Sequence, residues 1–235
     1  MPEDEAASEL MNHLMDYLAI QAGEWGALYL TAEVDEHSQV FETLRRANFT
    51  VYTRQRVWQF DEGAAAQDES GSIAHLWRTV NESDRFAVRS LLQSIVPPLA
   101  QPLEPYHYAH LNGLLYHEHS ELLAYADVIY GPRGIWVQPF IHPAPEAVPS
   151  LLLALRTDLP RRVGRPLYLG VHAYQAWLEP ILQELGASSG PRQVLMVRRL
   201  AIEQKSPARV HLPALEKQHA EPSAPFARAD GRPKV

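Results

Sequence analysis

The feature that most constrains the fold is a strand–helix–strand pattern that occurs twice. Residues 165–200 read RPLYLGVHAYQAWLEPILQELGASSGPRQVLMVRRL, and residues 27–60 read ALYLTAEVDEHSQVFETLRRANFTVYTRQRVWQF. The matching positions are Tyr29-Leu30 with Tyr168-Leu169 and Arg54-Gln55 with Arg192-Gln193. Two copies are too few for a solenoid, so the repeat indicates a duplicated or tandem domain.

Composition and charge exclude several classes of protein. The chain is 46% hydrophobic, which is enough for a packed core. Its net charge of -7 argues against nucleic-acid binding, and the absence of cysteine excludes disulfides and thiolate chemistry. The acidic N-terminus does not resemble a signal peptide, and no apolar run approaches the roughly 18 residues of a membrane helix. We therefore expect a soluble, cytoplasmic protein that does not bind a membrane.

Residues 1–60 are predicted to form a helix followed by the first copy of the repeat. The helix covers residues 6–22, and its apolar face contains Leu10, Leu14, Tyr17 and Leu18, with Met11 and Met15 beside it. The copy consists of a strand at 28–34, a helix capped by Asp35 or Ser38, a left-handed Asn48, and a strand at 50–60. The small and polar residues 61–72 are predicted to be a linker.

Residues 73–202 are predicted to form a second, complete unit. Its strands are predicted at 73–80, 111–116, 122–130, 135–142, 167–171 and 193–200. Its helices are predicted after a cap at Asn81 or Ser83, at 151–155 after Ser150, and at 175–185 before Gly186. Residues 203–235 contain many prolines without a periodic pattern, which predicts a disordered tail.

The order of these elements resembles the GNAT superfamily of N-acetyltransferases. The segments that resemble it are LLAYADVIYGPRGIWVQPFIHP, LYLGVH, the helix ending LQELGA, and LRRANFTVYTRQRVWQF, where Asn48-Phe49 replaces a Gly-Phe pair. The resemblance implies an α/β fold with a GNAT-like mixed sheet flanked by helices, in which residues 1–60 form a half repeat. It also implies acetyl transfer from acetyl-CoA to an amine on a small molecule or a protein.

The resemblance implies contacts to the cofactor at the splayed strands of the sheet. The residues that match these contacts are Val137, Phe140, Ile141 and Gln175. In the family, a loop Arg-x-x-Gly-x-Gly/Ala binds the pyrophosphate with backbone amides at a helix N-terminus.

The matching loop positions in this chain are Glu146, Pro149 and Leu151. A carboxylate repels phosphate and a proline lacks an amide donor, so the resemblance implies a degenerate loop.

The catalytic positions implied by the resemblance also differ from the family pattern. The tyrosine that protonates the departing thiolate matches Leu44 and Leu182, which are apolar, and Tyr174 is the remaining candidate. The position that opens the helix in each copy holds His37 or Gln175. A non-catalytic module that binds a ligand or a partner is therefore the alternative function.

Other polar clusters have a functional and a structural interpretation. The sequence HYAHLNGLLYHEHSE contains His107, His110, His117 and His119, whose spacing matches no established metal site, so we expect no metal. Asp127 is predicted to face either a cleft or solvent. Trp136 and Trp177 are predicted to lie in the core or at a domain contact. Arg161, Arg162 and Arg165 form a basic loop that meets either solvent or a CoA phosphate. Edge strands left open by the half unit are expected to favour a homodimer.

Overall fold

The computed structural model describes residues 2–60, 76–104, 111–145, 148–159 and 165–200, with side chains from residue 9 onward. The helices of these residues are α1 Pro2–Glu24, α2 Gln39–Arg46, α3 Arg85–Ile95, α4 Val148–Asp158 and α5 Leu178–Glu184. The strands are β1 Tyr29–Asp35, β2 Thr50–Phe60, β3 Arg78–Thr79, β4 Gly113–Glu118, β5 Glu121–Tyr130, β6 Ile135–Ile141, β7 Leu167–His172 and β8 Ser188–Arg199. Short 3-10 turns occur at Glu82–Asp84 and Ala173–Gln175. The predicted linker at 61–72 and the predicted tail at 203–235 lie outside the described residues.

All eight strands form one mixed sheet in the order β1-β8-β2-β7-β6-β5-β4-β3. Strands β6 and β7 are parallel, and the other neighbouring pairs within the described residues are antiparallel. Helices pack on both faces of the sheet. The predicted α/β class with a mixed sheet between helices is confirmed.

The two copies of the repeat interleave their strands. The first copy contributes β1, α2 and β2, and the second contributes β7, α5 and β8. Strand β2 lies between β7 and β8, and β8 lies between β1 and β2. Exchanging the two copies therefore reproduces the same strand order, as a local two-fold axis requires.

The register of β2 and β8 agrees with this local symmetry. Gln55 lies directly opposite Gln193, and these two residues are also equivalent in the aligned repeat. On either side of this pair, Arg56 lies opposite Arg192 and Arg54 lies opposite Val194. The local axis therefore passes close to the Gln55–Gln193 pair.

Three hydrophobic clusters hold the helices on the sheet. Helices α4 and α5 cover β2, β5, β6 and β7 on one face through residues such as Trp58, Phe60, Leu152, Leu169 and Leu182. Helix α3 covers the opposite face through residues such as Val88, Leu92, Leu115, Tyr125 and Phe140. Helix α2 packs on β1 and β8 through residues such as Leu44, Phe49, Val194 and Met196.

Several predicted caps and turns are confirmed. Ser38 caps α2 by accepting from the Phe41 amide, and Asn48 adopts a left-handed φ of 63°. Gly186 ends α5 with a φ of 80°, a conformation that glycine adopts without steric cost. The turn between the strands predicted at 111–116 and 122–130 is formed by His119 and Ser120, both with positive φ.

Several predicted boundaries are wrong, among them the following three. Helix α4 begins at Val148, so Ser150 lies inside its first turn and does not cap it. Strand β8 begins at Ser188, earlier than the predicted residue 193, because it pairs along its length with β2. The strand predicted at 73–80 is reduced to Arg78–Thr79 within the described residues.

The predicted apolar face of α1 does not pack on the core. Leu10 is 64% exposed and Tyr17 is 60% exposed. The helix instead packs through smaller residues, with Ala19 and Ala22 buried and Met15 against the cluster on β1 and β8. A helix with two apolar stripes gives no periodic signal for which of them is buried.

Candidate active site

The parallel pairing of β6 and β7 stops in the middle of the sheet and leaves a wedge. The paired residues are Ile135 with Leu167, Trp136 with Tyr168, and Val137 with Leu169. The Ile135 amide donates to Pro166, so the amides of alternate residues of β6 point toward β7. The next donor in this ladder would belong to residue 139, which is a proline and has no N–H. Pro139 therefore explains why the strands separate at this point.

Side chains from β6 replace the missing backbone contact. The Gln138 side-chain amide donates to the Gly170 carbonyl at 2.6 Å, and the Trp136 ring lies beside it. A Cβ atom at Gly170 would be 2.6 Å from Trp136 Cζ2 and 2.7 Å from Gln138 Oε1. A larger residue at position 170 would therefore force the Trp136 and Gln138 side chains to shift from their places across β7.

Gly170→Ala is expected to lower the free energy of unfolding by about 1–3 kcal/mol because the added methyl group overlaps these side chains. The matched control is Gly23→Ala in α1, where an added Cβ atom meets nothing within 4 Å. That variant is expected to gain about 0.5–1 kcal/mol from helix propensity. Urea denaturation measures the free energy of unfolding of both variants. The same change in both would contradict the close packing at Gly170.

The open end of the wedge contains a buried amide with an unused acceptor. Gln175 is 1% exposed, and its Nε2 donates to the Ile141 carbonyl at 3.1 Å. Its Oε1 has no hydrogen-bond partner among the described residues. A buried acceptor without a partner costs about 1–3 kcal/mol, so a ligand N–H at this position would stabilise the protein.

A cavity of about 170 Å³ lies beside the wedge, on the face opposite α4 and α5. Its lining consists of Glu33, Gln55, Glu104, Asp127, Ile129, Trp136, Gln138, Phe140, His172 and Leu195. Three of these residues are carboxylates, and none of the described lining residues is lysine or arginine. We call this cavity the acidic cleft.

A network of three polar side chains borders the acidic cleft, and two of them, Glu104 and His172, line it. His172 and Glu104 are 2% and 7% exposed, and His172 Nδ1 lies 3.2 Å from Glu104 Oε1. The Tyr174 hydroxyl lies 2.6 Å from His172 Nδ1 and donates to Glu104 Oε1 at 3.4 Å. The network places a base, a carboxylate and a hydroxyl within hydrogen-bonding reach of one another.

The first copy of the repeat contributes its own polar group to the acidic cleft. Gln55 Nε2 donates to Glu33 Oε1 at 2.6 Å and to Gln193 Oε1 at 3.1 Å. Desolvation of its carboxylate raises the pKa of Glu33, although the Gln55 hydrogen bond opposes the rise. Burial together with the charges of Glu104 and Glu33 raises the pKa of Tyr52, which also belongs to the first copy.

Glu33→Gln is expected to reduce the pH dependence of stability. Because the pKa of Glu33 is higher in the fold than its ordinary value of 4.5, the native state binds this proton more readily. The wild type therefore loses stability as pH rises from 4.5 through the raised pKa, and the variant does not. In urea denaturation, the variant should have a higher free energy of unfolding than the wild type at about pH 7 but not at about pH 4.

Glu36→Gln is the matched control for this prediction, with the opposite sign. Arg54 Nε lies 2.7 Å from Glu36 Oε1, and this hydrogen bond lowers the pKa of Glu36. Its stabilising contribution is present above the ordinary value and is lost as pH falls through the lowered pKa. The variant should therefore be less stable than the wild type near neutral pH, and a gain there would contradict the assignment.

The predicted cofactor residues surround the wedge but differ in orientation. Val137 and Ile141 share the backbone orientation of Ile135, toward β7, whereas the backbone polar groups of Phe140 point toward β5. The side chains of all three are buried. Their contact with a cofactor stays a prediction, as does that of Gln175.

The predicted pyrophosphate loop is only partly described. Glu146 lies outside the described residues. Pro149 is exposed in the first turn of α4, and Leu151 is 1% exposed in the core. A leucine that packs against the sheet cannot act as the glycine that lets backbone approach a phosphate.

Other predicted residues divide between core, cleft and surface. Leu44 and Leu182 are buried in the core, as their apolar character predicts. Asp127 lines the acidic cleft and accepts from the Tyr125 hydroxyl at 2.9 Å. Trp136 lines the same cleft and Trp177 is 37% exposed, so neither lies in the core, and the alternative of a domain contact stays a prediction.

The histidine-rich segment gives no metal site in the part of the chain that the structure describes. No group of three or more histidine, aspartate or glutamate side chains there could hold an ion. His117 and His119 belong to the β4–β5 hairpin, whereas His107 and His110 lie outside the described residues, as do Arg161 and Arg162. Arg165 donates to the Gly131 carbonyl at 2.8 Å and so stabilises a turn.

Sequence reasoning did not identify Glu104, Gln55 or Glu33 as residues of the cleft. Glu104 was missed because it follows a proline-rich segment without a periodic pattern. Gln55 and Glu33 were missed because they belong to the first copy, far from the second in sequence. The one signal for Gln55 was its equivalence to Gln193 in the repeat.

Comparisons with known proteins indicate a shared fold. No protein-family profile and no curated protein matches this sequence. A functionally unknown conserved protein from Staphylococcus epidermidis is 11% identical, with a TM-score of 0.55 over 81% of this chain and 81% of its own. This likeness is one of fold alone.

GNAT acetyltransferases are common among the other similar solved structures, with lower TM-scores. A GCN5-related N-acetyltransferase from Kribbella flavida is 17% identical, with a TM-score of 0.47 over 72% of this chain and 68% of its own. Another from Sphaerobacter thermophilus is 14% identical, with a TM-score of 0.45 over 80% of this chain and 68% of its own.

None of the helices in the described ranges combines the length and the apolar composition of a membrane span.

Proposed function

We propose that the protein is a GNAT-like acyltransferase that transfers an acetyl group from acetyl-CoA to an amine. The observation that carries the proposal is the position of the Glu104–His172–Tyr174 network, which lies beside a wedge in the sheet. The wedge offers a place for an extended acyl donor, and the acidic cleft offers a place for the acceptor. The two places meet at β7, where His172 ends the strand.

The wedge suits the pantetheine arm of acetyl-CoA, which carries amide groups. Gln175 Oε1 is buried without a partner among the described residues and can accept from an amide N–H. Ile141 has its backbone polar groups on the same side of β6. Acetyl-CoA supplies the acyl group as a reactive thioester. Binding in the wedge would hold that group close to the network on β7.

The start of α4, where the pyrophosphate of acetyl-CoA would bind, suits this cofactor less well than the wedge does. Pro149 removes one amide from the first turn of α4, and Leu151 belongs to the core. Helix α4 still begins at this point and can contribute its remaining free amides. We therefore expect the affinity for acetyl-CoA to come mainly from the wedge.

The acidic cleft suits the ammonium form of an amine. Glu33, Glu104 and Asp127 attract a cation, and no lysine or arginine among the described lining residues opposes them. His172 and Glu104 can take up the proton that the ammonium must lose before its nitrogen becomes nucleophilic. The Tyr174 hydroxyl can donate a proton to a departing thiolate.

An assay of thiol release tests the activity. Purified protein is mixed with acetyl-CoA and a panel of primary amines, and free thiol is followed over time. The expected result is amine-dependent release above the rate with acetyl-CoA alone. Gln175→Ala is expected to raise the KM for acetyl-CoA more than it lowers kcat, since Gln175 would contact the donor rather than the reacting amine. Release that is independent of every amine would contradict the proposal.

A non-catalytic GNAT-like module is the second candidate. Pro149 and Leu151 favour it because they remove the features that commonly hold the pyrophosphate. In this case the cleft would bind a cation or a partner without acyl transfer. Binding of an amine without binding of acetyl-CoA would support this alternative.

We also propose that residues 1–60 are a half copy of a GNAT-like unit and that residues 73–202 are a second copy. The exchange symmetry of β1, β2, β7 and β8 supports this arrangement. In it, the first copy supplies Glu33 and Gln55 to the cleft of the second. The half copy would then be part of the site and not an appendage.

A further inference from the structure

Apolar side chains on one face of α1 are left exposed by the fold. Met11, Leu14 and Leu18 follow one another at intervals of three and four residues, Leu10 and Tyr17 lie beside them, and Trp25 lies in the turn directly after the helix. We call these six residues the α1 stripe. The exposed fractions are 39% for Met11, 48% for Leu14, 46% for Leu18 and 84% for Trp25.

The α1 stripe is too large to be an incidental surface feature. Its exposed fractions correspond to roughly 700 Å² of accessible surface, where a buried aromatic residue accounts for about 150–250 Å². Monomeric proteins rarely expose contiguous apolar patches above about 300–600 Å². A specific protein–protein interface buries about 800 Å² on each partner, so the stripe approaches the area that a stable dimer needs.

The spacing of the stripe is that of a helix that packs against another helix. Positions separated by three and four residues lie on one face of a helix, as in helical pairs. The other face of α1 already packs on its own chain, through Ala19 and Ala22 and through the ion pair of Asp16 with Arg198 at 2.7 Å. Within the described residues, no element covers the stripe.

The surroundings of the stripe favour a second copy of this chain as the partner. The stripe carries no charge, so two copies of it are self-complementary across a two-fold axis. Helix α1 packs beside β1, which is the last strand of the sheet and has no strand partner on its outer side among the described residues. One edge of the molecule therefore presents both an uncovered helix face and an open strand.

We propose that the protein forms a symmetric dimer in which the α1 stripes of two copies pack against each other. The dimer is independent of the acetyltransferase proposal, because no residue of the stripe belongs to the wedge or the acidic cleft. The stripe runs from Leu10, within the 23-residue helix, to Trp25, one residue beyond the last helical residue Glu24. Leu18 lies near the centre of the stripe and is therefore close to the two-fold axis.

Light scattering after size exclusion tests the dimer. The full chain is expected to show twice its mass of 26.5 kDa at about 100 μM, and the double variant Leu14→Glu/Leu18→Glu is expected to show the single mass. The matched control is Ile20→Glu, which changes a 60% exposed residue on a different face of α1 and should leave the dimer intact.

A single introduced cysteine gives an independent test, since the chain has none of its own. Leu18→Cys is expected to form a disulfide-linked dimer under mild oxidation, and Ile20→Cys is not. A single mass for the wild type at every concentration would overturn the proposal, whether or not the chain then binds lipid vesicles through the stripe. A dimer that persists in the Leu14/Leu18 double variant would also overturn it.

Discussion

A chain that lacks residues 1–60 is expected to lose its folded state. Without β2, strands β7 and β8 have no shared neighbour, and the sheet is cut in two. The deletion also removes Trp58 and Phe60, which are 3% and 2% exposed in the largest core cluster. Loss of one such aromatic side chain costs about 3–5 kcal/mol, against a total stability of about 5–15 kcal/mol.

Far-ultraviolet circular dichroism and amide-proton dispersion of residues 61–235 measure this loss. Co-expression of residues 1–60 as a separate chain is the control, because β2 binds its neighbours without needing a peptide bond at residue 61. Recovery of the folded spectrum in the co-expressed complex is the expected result. A cooperative thermal transition of residues 61–235 alone, within a few degrees of the full chain, would show that β2 is dispensable.

His172→Gln is expected to lower kcat/KM for acetyl transfer by about 10²–10⁴-fold, the range for loss of a general base. His172 connects the Glu104 carboxylate and the Tyr174 hydroxyl, and glutamine can hydrogen-bond but cannot take up a proton at neutral pH. His119→Gln is the control, because it makes the same change in the β4–β5 turn. The measurement is the initial rate of thiol release at amine concentrations well below saturation, where the slope gives kcat/KM.

Tyr174→Phe separates the two proton transfers in this network. The hydroxyl can protonate the departing thiolate, so its loss should lower kcat while leaving the affinity for the amine unchanged. A His172→Gln variant that binds acetyl-CoA normally and keeps the wild-type kcat/KM would rule out proton transfer by His172. Circular dichroism of each variant separates a catalytic defect from loss of the fold.

Local sequence rules predicted most elements because their signals are local. Ser38 caps α2, Asn48 takes the left-handed conformation, and Gly186 ends α5. The mixed sheet was implied by the resemblance of the order of elements to the GNAT superfamily. The repeat also pointed to the Gln55–Gln193 pair, which lies at the centre of the observed local symmetry.

The features that sequence reasoning missed depend on contacts between distant segments. Strand β2 pairs with β7 and β8. The alternation of apolar and polar residues along a strand does not specify which strands it pairs with. The exposed stripe on α1 follows from competition between two apolar faces. The acidic cleft combines Glu33 and Glu104 with His172, from three separate parts of the chain.

Calorimetric titration of acetyl-CoA into the full chain tests whether the wedge binds the acyl donor. We expect saturable binding at one site with a dissociation constant in the micromolar range, near -8 kcal/mol, and weaker binding to Gln175→Ala. We also expect that CoA itself binds, because the wedge would hold the pantetheine arm and not the acetyl group. No heat of binding at millimolar acetyl-CoA would contradict the acetyltransferase function and leave the cleft as the site of a non-catalytic module.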